Sequence, residues 1–248
     1  MSYLLITVLA LLFFAVLFFR LYLHLMPKNR LTILMYHSVL PTTNDPLEVT
    51  VNALDQQMKY LSEQNYTTLF FKDLKQTLPK KSIILTFDDG YKNIEEYLLP
   101  LLKKHGMKAV IFLPTKLLGK GDKMSFEDLR NLDNSLVEFA LHGHEHMNYE
   151  KNAIEKVSED LQQNIQTLQN EKIPFENVLA YPYGRYKKND AAFYKVLEDL
   201  GIVYALRIGN KLNYFPTKKR YELCRIGIDG SDSLAKFKLK LFFGKLKF

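Results

Sequence analysis

The chain has 248 residues, 47% hydrophobic and 25% charged, without a low-complexity stretch, which excludes a disordered or fibrous polymer and allows one domain with a sizeable core. Its single cysteine, Cys224, excludes an internal disulfide. The net charge of +7 comes with no nucleic-acid-binding motif, so no nucleic-acid partner is expected.

From Tyr3 to Phe19 run 17 uncharged residues, mostly Leu, Val and Phe. At about 1.5 Å per residue this falls just short of a ~30 Å hydrocarbon core, but a snorkelling Arg20 and the stretch Leu21 to Met26 extend it. A cleaved signal peptide wants a basic start and a small-x-small cleavage site, and MSYLLITVLA has neither. The expectation is a retained single-pass transmembrane helix over 1–26, followed by one domain over 27–248.

Beyond it, short apolar runs rich in β-branched residues alternate with helical stretches. Strands are expected at 31–39, 67–71, 82–89, 108–114, 137–142, 177–183, 202–209 and 224–228. Several are almost continuously hydrophobic, as parallel strands covered on both faces should be. Helices are expected at 52–64, 92–105, 126–133, 151–171 and 188–200, with Ser125 and Asp128 forming a capping box. This alternation predicts an α/β fold, most simply a distorted (β/α) barrel of seven or eight mostly parallel strands. The last 48 residues hold 11 Lys plus Arg against 3 acidic residues, a balance of +8. Their end, FKLKLFFGKLKF, fits either a membrane-surface element or an amphipathic element docked on the domain.

In such a barrel, functional groups gather at the carboxyl ends of the strands. The polar residues there are His37, Asp88 and Asp89, His142 and Tyr183, each from a different strand apart from the adjacent pair. In SIILTFDDGY (82–91), neighbouring carboxylates at a strand end point different ways, so one is free to bind a metal while the other accepts a proton. In HGHEHMN (142–148), His142 and His146 lie four apart and converge on one ion if the chain turns helically, leaving His144 pointing elsewhere. One carboxylate and two imidazoles suit Zn²⁺, with Co²⁺, Ni²⁺ or Fe²⁺ as alternatives. Asn148 is placed either to support a ligand or to cap the turn before the next helix.

Together these motifs resemble the polysaccharide deacetylases of carbohydrate esterase family 4, the NodB-homology domain. TFDDG (86–90) is similar to that family's first motif, which implies Asp88 as catalytic base and Asp89 as metal ligand. HGHEH is similar to the second, His-(Ser/Thr)-x-x-His, with Gly143 in place of the hydroxyl residue and His142 and His146 as implied ligands. AYPYG (180–184) is similar to the third, whose turn lines the pocket with Tyr181 and Tyr183 and whose aromatic N–H, that of Tyr183, helps bind the oxyanion.

Two departures stand out. Ala180 occupies the place of an arginine that orients the aspartate in the family, and Arg207 or Arg225 is the available substitute, Arg225 preferred. The family's C-terminal leucine-x-histidine motif, source of the general acid, is absent. MYH (35–37) resembles the N-terminal Tyr-His motif of the permuted poly-N-acetylglucosamine deacetylases, so His37 becomes the expected acid and His144 its less favoured replacement.

The resemblance implies a metal-dependent deacetylase: water activated by Asp88 attacks an acetamido carbon, and His37 protonates the departing sugar amine. The substrate class is a glycan of N-acetylated sugars, lipid-linked ones included. The alternative is a catalytically silent, membrane-anchored carbohydrate-binding relative, favoured by the two departures. A metallo-β-lactamase-like hydrolase leaves TFDDG unexplained. Orientation is pulled two ways. Arg20, Lys28 and Arg30 follow the apolar run and place the domain in the cytoplasm, whereas an envelope glycan places it outside.

Overall fold

The computed structural model describes residues 2–18, 29–74, 77–209 and 211–244. Seven strands close into a parallel barrel: β1 (Arg30–Tyr36), β5 (Ser82–Phe87), β6 (Ala109–Leu113), β7 (Val137–Leu141), β8 (Glu176–Ala180), β9 (Tyr204–Ile208) and β11 (Leu223–Gly227), which returns to β1. Two short strands fringe it: β4 (Thr67–Thr68), parallel to β5, and β10 (Asn213–Tyr214), antiparallel to β1. A separate parallel pair, β2 (Ser38–Leu40) with β3 (Glu48–Thr50), covers one corner. The α/β barrel read from the alternation is the fold observed.

Continuous apolarity of the strands serves two cores. Leu31, Ile33, Ile84, Val110, Phe112, Ala140, Val178, Ala180, Leu206 and Leu223 fill the barrel interior. Their alternate neighbours Leu34, Leu85, Ile111, Phe139, Leu179 and Ile226 pack outward against the helices. The period of two along each strand makes this division. It also sets a parity rule: continuing the inward set past the strand ends leads from Ile33 to His37, from Ile84 through Thr86 to Asp88, from Ala140 to His142, and from Leu223 to Arg225.

The helices follow the expected segments with shifted ends. They are α1 (Ser2–Phe18), α2 (Val51–Glu63), α3 (Leu99–His105), α4 (Phe126–Asn131), α5 (Ile154–Asn170), α6 (Ala191–Asp199) and α7 (Leu234–Phe243). Thr50, Ser125, Asp190 and Ser233 cap four of them with side-chain oxygens. The Ser125–Asp128 capping box forms as expected. Two expectations give way. The strand at 67–71 stops after Thr68 and turns into a short 3₁₀ segment, Phe71–Asp73, capped by the Asp73 carboxylate on the Phe70 N–H. The helix at 92–105 opens as a π-helical turn, Ile94–Leu98, in which the Leu99 N–H reaches Ile94 O. Pro100 has no N–H, so the ladder cannot run unbroken through this point.

Among the described residues no helix is long and apolar enough to cross a membrane. Helix α1 has 17 residues, about 26 Å at a rise of 1.5 Å per residue; the extension through Arg20 to Met26 lies outside the described residues. Its side chains from Tyr3 to Phe14 are exposed. At the other end, α7 is docked rather than free. Phe237 and Leu241 are buried, the Phe237 ring meets Tyr60 of α2 at 6.5 Å, and Lys236 and Lys240 both pair with Asp232. For Leu234–Phe243, burial on the domain is therefore the observed state of the inner face; residues 245–248 lie outside the described residues.

Candidate active site

Strand β5 delivers two carboxylates in different directions. The Asp88 N–H continues the ladder to Tyr36 O at 3.0 Å, which keeps its side chain on the inward parity, buried in the barrel mouth. Asp89 then takes φ 69° and Gly90 φ 62°, a left-handed pair that swings the Asp89 carboxylate out to the rim.

The second ligand-bearing segment leaves β7. The His142 N–H is shared between Leu113 O (3.3 Å) and Asn164 Oδ1 (3.2 Å), and its Nδ1 lies 2.7 Å from Ala180 O. A carbonyl can only accept, so Nδ1 carries the proton and the Nε2 lone pair faces the site. Gly143 follows at φ 76°, where a Cβ would lie 2.5 Å from Asp160 Oδ2 and 2.6 Å from the Tyr149 hydroxyl. That crowding explains the glycine where the family pattern has a hydroxyl residue. Asp160 accepts from the N–H groups of His144 (3.1 Å) and Glu145 (2.7 Å) and from Tyr149 Oη (2.6 Å), pinning the loop so that His146 turns inward at φ 54°.

Asp89, His142 and His146 meet, with one candidate ligand atom from each inside a 4.8 Å span. Asp89 Oδ1 lies 3.6 Å from His142 Nε2 and 3.4 Å from His146 Nε2, and among the described residues it is buried without a hydrogen-bond donor. Burial and the neighbouring His142 hold the His146 imidazole down to about 4, so it is neutral with a free lone pair near pH 7. A buried carboxylate oxygen facing the Nε2 atoms of two imidazoles fits a divalent cation. His144, as expected, points elsewhere: its Nδ1 meets Thr115 Oγ1 at 2.9 Å. Asn148 caps its own turn, accepting from the Glu150 N–H at 3.0 Å, while α5 starts at Ile154.

Asp88 lies deeper and is held differently. Arg225 grips it with two bonds, Nη1 to Oδ1 at 2.6 Å and Nη2 to Oδ2 at 2.8 Å, both partners buried. Burial pushes the Asp88 carboxyl up, but Arg225, then His142 and His37, outweigh it and hold it well below the usual carboxylate range. Arg225 thus fills the role left open by Ala180, reaching Asp88 from β11. Oδ2 of the same carboxylate lies 3.8 Å from His142 Nε2 and 3.9 Å from His37 Nε2. His37 sits just past β1, and its side chain is 17% exposed, so it is open to a substrate on one side.

The turn after β8 divides the two tyrosines of AYPYG. Tyr183, at φ 59°, is 60% exposed, and its ring centroid lies 4.7 Å from that of His146. Tyr181 does not line the site, contrary to expectation. Its ring is fully buried, stacked on Tyr186 at 4.7 Å, with its hydroxyl donating to Tyr221 O. The residue before the proline keeps the outward parity of Leu179 and packs under the helices, so only the second aromatic reaches the surface.

The supporting residues Asp160 and Asn164 were missed from sequence. Both lie in α5 on the buried stripe Val157, Asp160, Leu161, Asn164, Leu168. Polar side chains at core positions of an amphipathic helix were the available signal, because a buried polar group demands a partner.

The chain of YxkH from Bacillus subtilis is 27% identical over 165 residues, 64% of this chain and 58% of that protein, so this chain spans little more than half of that relative's length. A poly-beta-1,6-N-acetyl-D-glucosamine N-deacetylase of Staphylococcus aureus is 27% identical over 197 residues, 72% of this chain and 67% of that protein. The deacetylase PplD of Streptococcus pyogenes shares the fold at a TM-score of 0.77 and 20% identity, over 86% of this chain and 99% of that one. IcaB from Ammonifex degensii does so at 0.74 and 20%, over 86% and 97%. A family model described as polysaccharide deacetylase matches residues 75–205, more than half of the sequence, and the chain therefore belongs to the polysaccharide deacetylase family.

Proposed function

We propose that the protein is a metal-dependent N-deacetylase that hydrolyses the acetamido group of an N-acetylated sugar within a glycan. The observation that carries this reading is the pair of adjacent carboxylates in unlike settings: Asp89 orphaned between two imidazoles, Asp88 clamped by Arg225 beside them. A pure binding module has no use for the second. Both departures that favoured a silent relative also lose force, since Arg225 stands in for the missing arginine and His37 lies within 4 Å of Asp88.

Asp89, His142 and His146 would hold the ion, Zn²⁺ by preference, which supplies Lewis acidity to water and to the acetyl carbonyl. Asp88 stays ionised at neutral pH and accepts the proton of the attacking water. Arg225 fixes its two oxygens, so Oδ2 is presented toward the metal cluster. The left-handed turn at Tyr183 sets its ring 4.7 Å from that of His146, and its backbone N–H would meet the developing oxyanion. His37, whose Nε2 lies 3.9 Å from the same Asp88 oxygen, protonates the amine as the C–N bond breaks. An amine leaves poorly without a proton, which is why a second acid–base group is required.

Purified protein assayed on N-acetylglucosamine oligomers tests this. Asp88→Asn should abolish acetate release, and His37→Ala should lower turnover about 10²–10⁴-fold, both with bound metal retained. Full activity of Asp88→Asn would end the reading, and loss of metal in His37→Ala would make His37 a ligand instead.

The exposed apolar surface of α1 supports a second proposal, that residues 1–26 anchor the chain in a membrane with the barrel on the outer side, where N-acetylated envelope glycans lie. Protease added to intact cells should then digest the domain. Digestion only after lysis would put it in the cytoplasm.

A further inference from the structure

A pocket of about 230 Å³ opens on the same barrel face, bounded by the segments that follow β7 and β8 and by the end of β9. Its lining includes Arg185, Lys188 and Arg207, against one acidic residue, Glu150. Gly184, also in its wall, directly follows Tyr183, whose ring lies against His146. The pocket is therefore next door to the cluster of Asp89, His142 and His146.

Its charges are not internally balanced. Arg185 and Glu150 approach only to 3.8 Å and are both largely exposed, a pairing worth little in water. Lys188 is exposed. Arg207 spends one Nη1 proton on Ile208 O at 3.3 Å, while its Nε is buried without an acceptor among the described residues. Three cations facing one loosely paired carboxylate leave net positive charge that an anionic ligand matches. Glu222 is the nearest further acid: it is engaged by the Tyr194 hydroxyl at 3.0 Å and does not line the pocket. The volume is several times the roughly 30 Å³ share of one water, enough for a phosphate or a sugar carboxylate. Tyr186 and Ile208 add apolar wall on which a sugar ring can rest.

We infer that this pocket is an anion subsite, which holds a phosphate or carboxylate borne by the sugar adjoining the one deacetylated. The inference rests on the deacetylase reading for the identity of that neighbouring sugar. It deepens that reading by selecting anionic glycans over a neutral homopolymer. Arg207 and Lys188 supply charge-assisted bonds to the anion, and Arg185 exchanges its loose contact with Glu150 for it.

Equilibrium titration of the full-length protein separates this inference from the catalytic reading, since it requires no turnover. The probes are N-acetylglucosamine, its 1-phosphate, and N-acetylmuramic acid as the carboxylate. At least one anionic sugar should bind tenfold or more tighter than the neutral one at low salt, with the advantage shrinking as ionic strength rises. Whichever anion shows it identifies the source. Arg185→Glu combined with Lys188→Glu, both at exposed positions, should erase the advantage and leave neutral-sugar binding unchanged. Arg207→Gln should do the same from the buried side. Equal affinity for all three sugars would overturn the inference. So would an advantage that survives both variants, because the anion would then be seated on the metal cluster. If acetate release fails while the advantage and its loss in the variants hold, the proposed reaction falls and the anion subsite stands.

Discussion

Among the described residues Arg225 is the largest fully buried side chain, and Asp88 alone matches its charge at bonding distance. Its Nη1 also approaches Thr86 Oγ1 at 3.3 Å, and its Cζ lies 5.5 Å from the centroid of the Phe112 ring. Removing one partner of such a pair strands the other charge in a low-dielectric interior, which costs about 3–5 kcal/mol. Arg225→Met should therefore lower stability by about that much, read from the denaturant midpoint, and should cost activity by letting Asp88 rotate. The double variant Asp88→Asn with Arg225→Met should be more stable than Arg225→Met alone, since no buried charge is then unmatched. Both residues were legible as candidates in the sequence. Their contact was not, because 137 positions separate them and the sequence offered both Arg207 and Arg225, with only a weak preference for Arg225. Barrel closure decides between them: β11 pairs with β1, which in turn pairs with β5, bringing Arg225 across from Asp88.

The segment after β7 shows how an element is built around a function. Two histidines converge only because Gly143 and His146 both adopt left-handed backbone and because Asp160 of α5 collects two N–H groups and one hydroxyl from the loop. Gly143→Ala would strain the backbone and drive a Cβ into Asp160 and Tyr149. It should cost about 2 kcal/mol or more and weaken metal affinity, because His146 depends on that loop. Metal titration of the variant against wild type checks this; unchanged affinity would show that the loop tolerates the shift. The spacing of His142 and His146 was readable from the sequence, and so was the divergence of His144. The anchor of the loop was not, since Asp160 and Asn164 read as ordinary helix residues until the burial of their helix face is known.

At the scale of the molecule, the barrel has one polar end that works and one that only holds. Opposite the catalytic mouth, at the start of β7, Glu138 is buried, with Oε1 accepting the Phe71 N–H at 2.9 Å and Lys72 Nζ 3.7 Å from Oε2. Burial pushes its carboxyl up to about 7. A folded-state value above the unfolded one means the folded protein binds more protons between roughly pH 4.5 and 7. The contribution of Glu138 to stability is then full at low pH and is lost as pH rises through about 7. Glu138→Gln keeps an acceptor for Phe71 and removes the titration. The variant should gain stability relative to wild type above pH 7 and show a flatter stability–pH slope between pH 5 and 8. An unchanged slope would remove Glu138 from that role.

Alternation of strands and helices, the inward parity of His37, Asp88, His142 and Arg225, and the three short motifs are all properties of local sequence. Side-chain direction in a strand has period two whatever the strand packs against, so barrel class and the roster of catalytic candidates were open to reading. Which arginine clamps Asp88, which of two tyrosines faces solvent, and which helix pins the histidine loop depend on contacts between residues far apart in the chain. Those contacts exist only once seven strands close on themselves, because closure, not any local propensity, brings β11 beside β1 and sets Asp160 beneath Gly143.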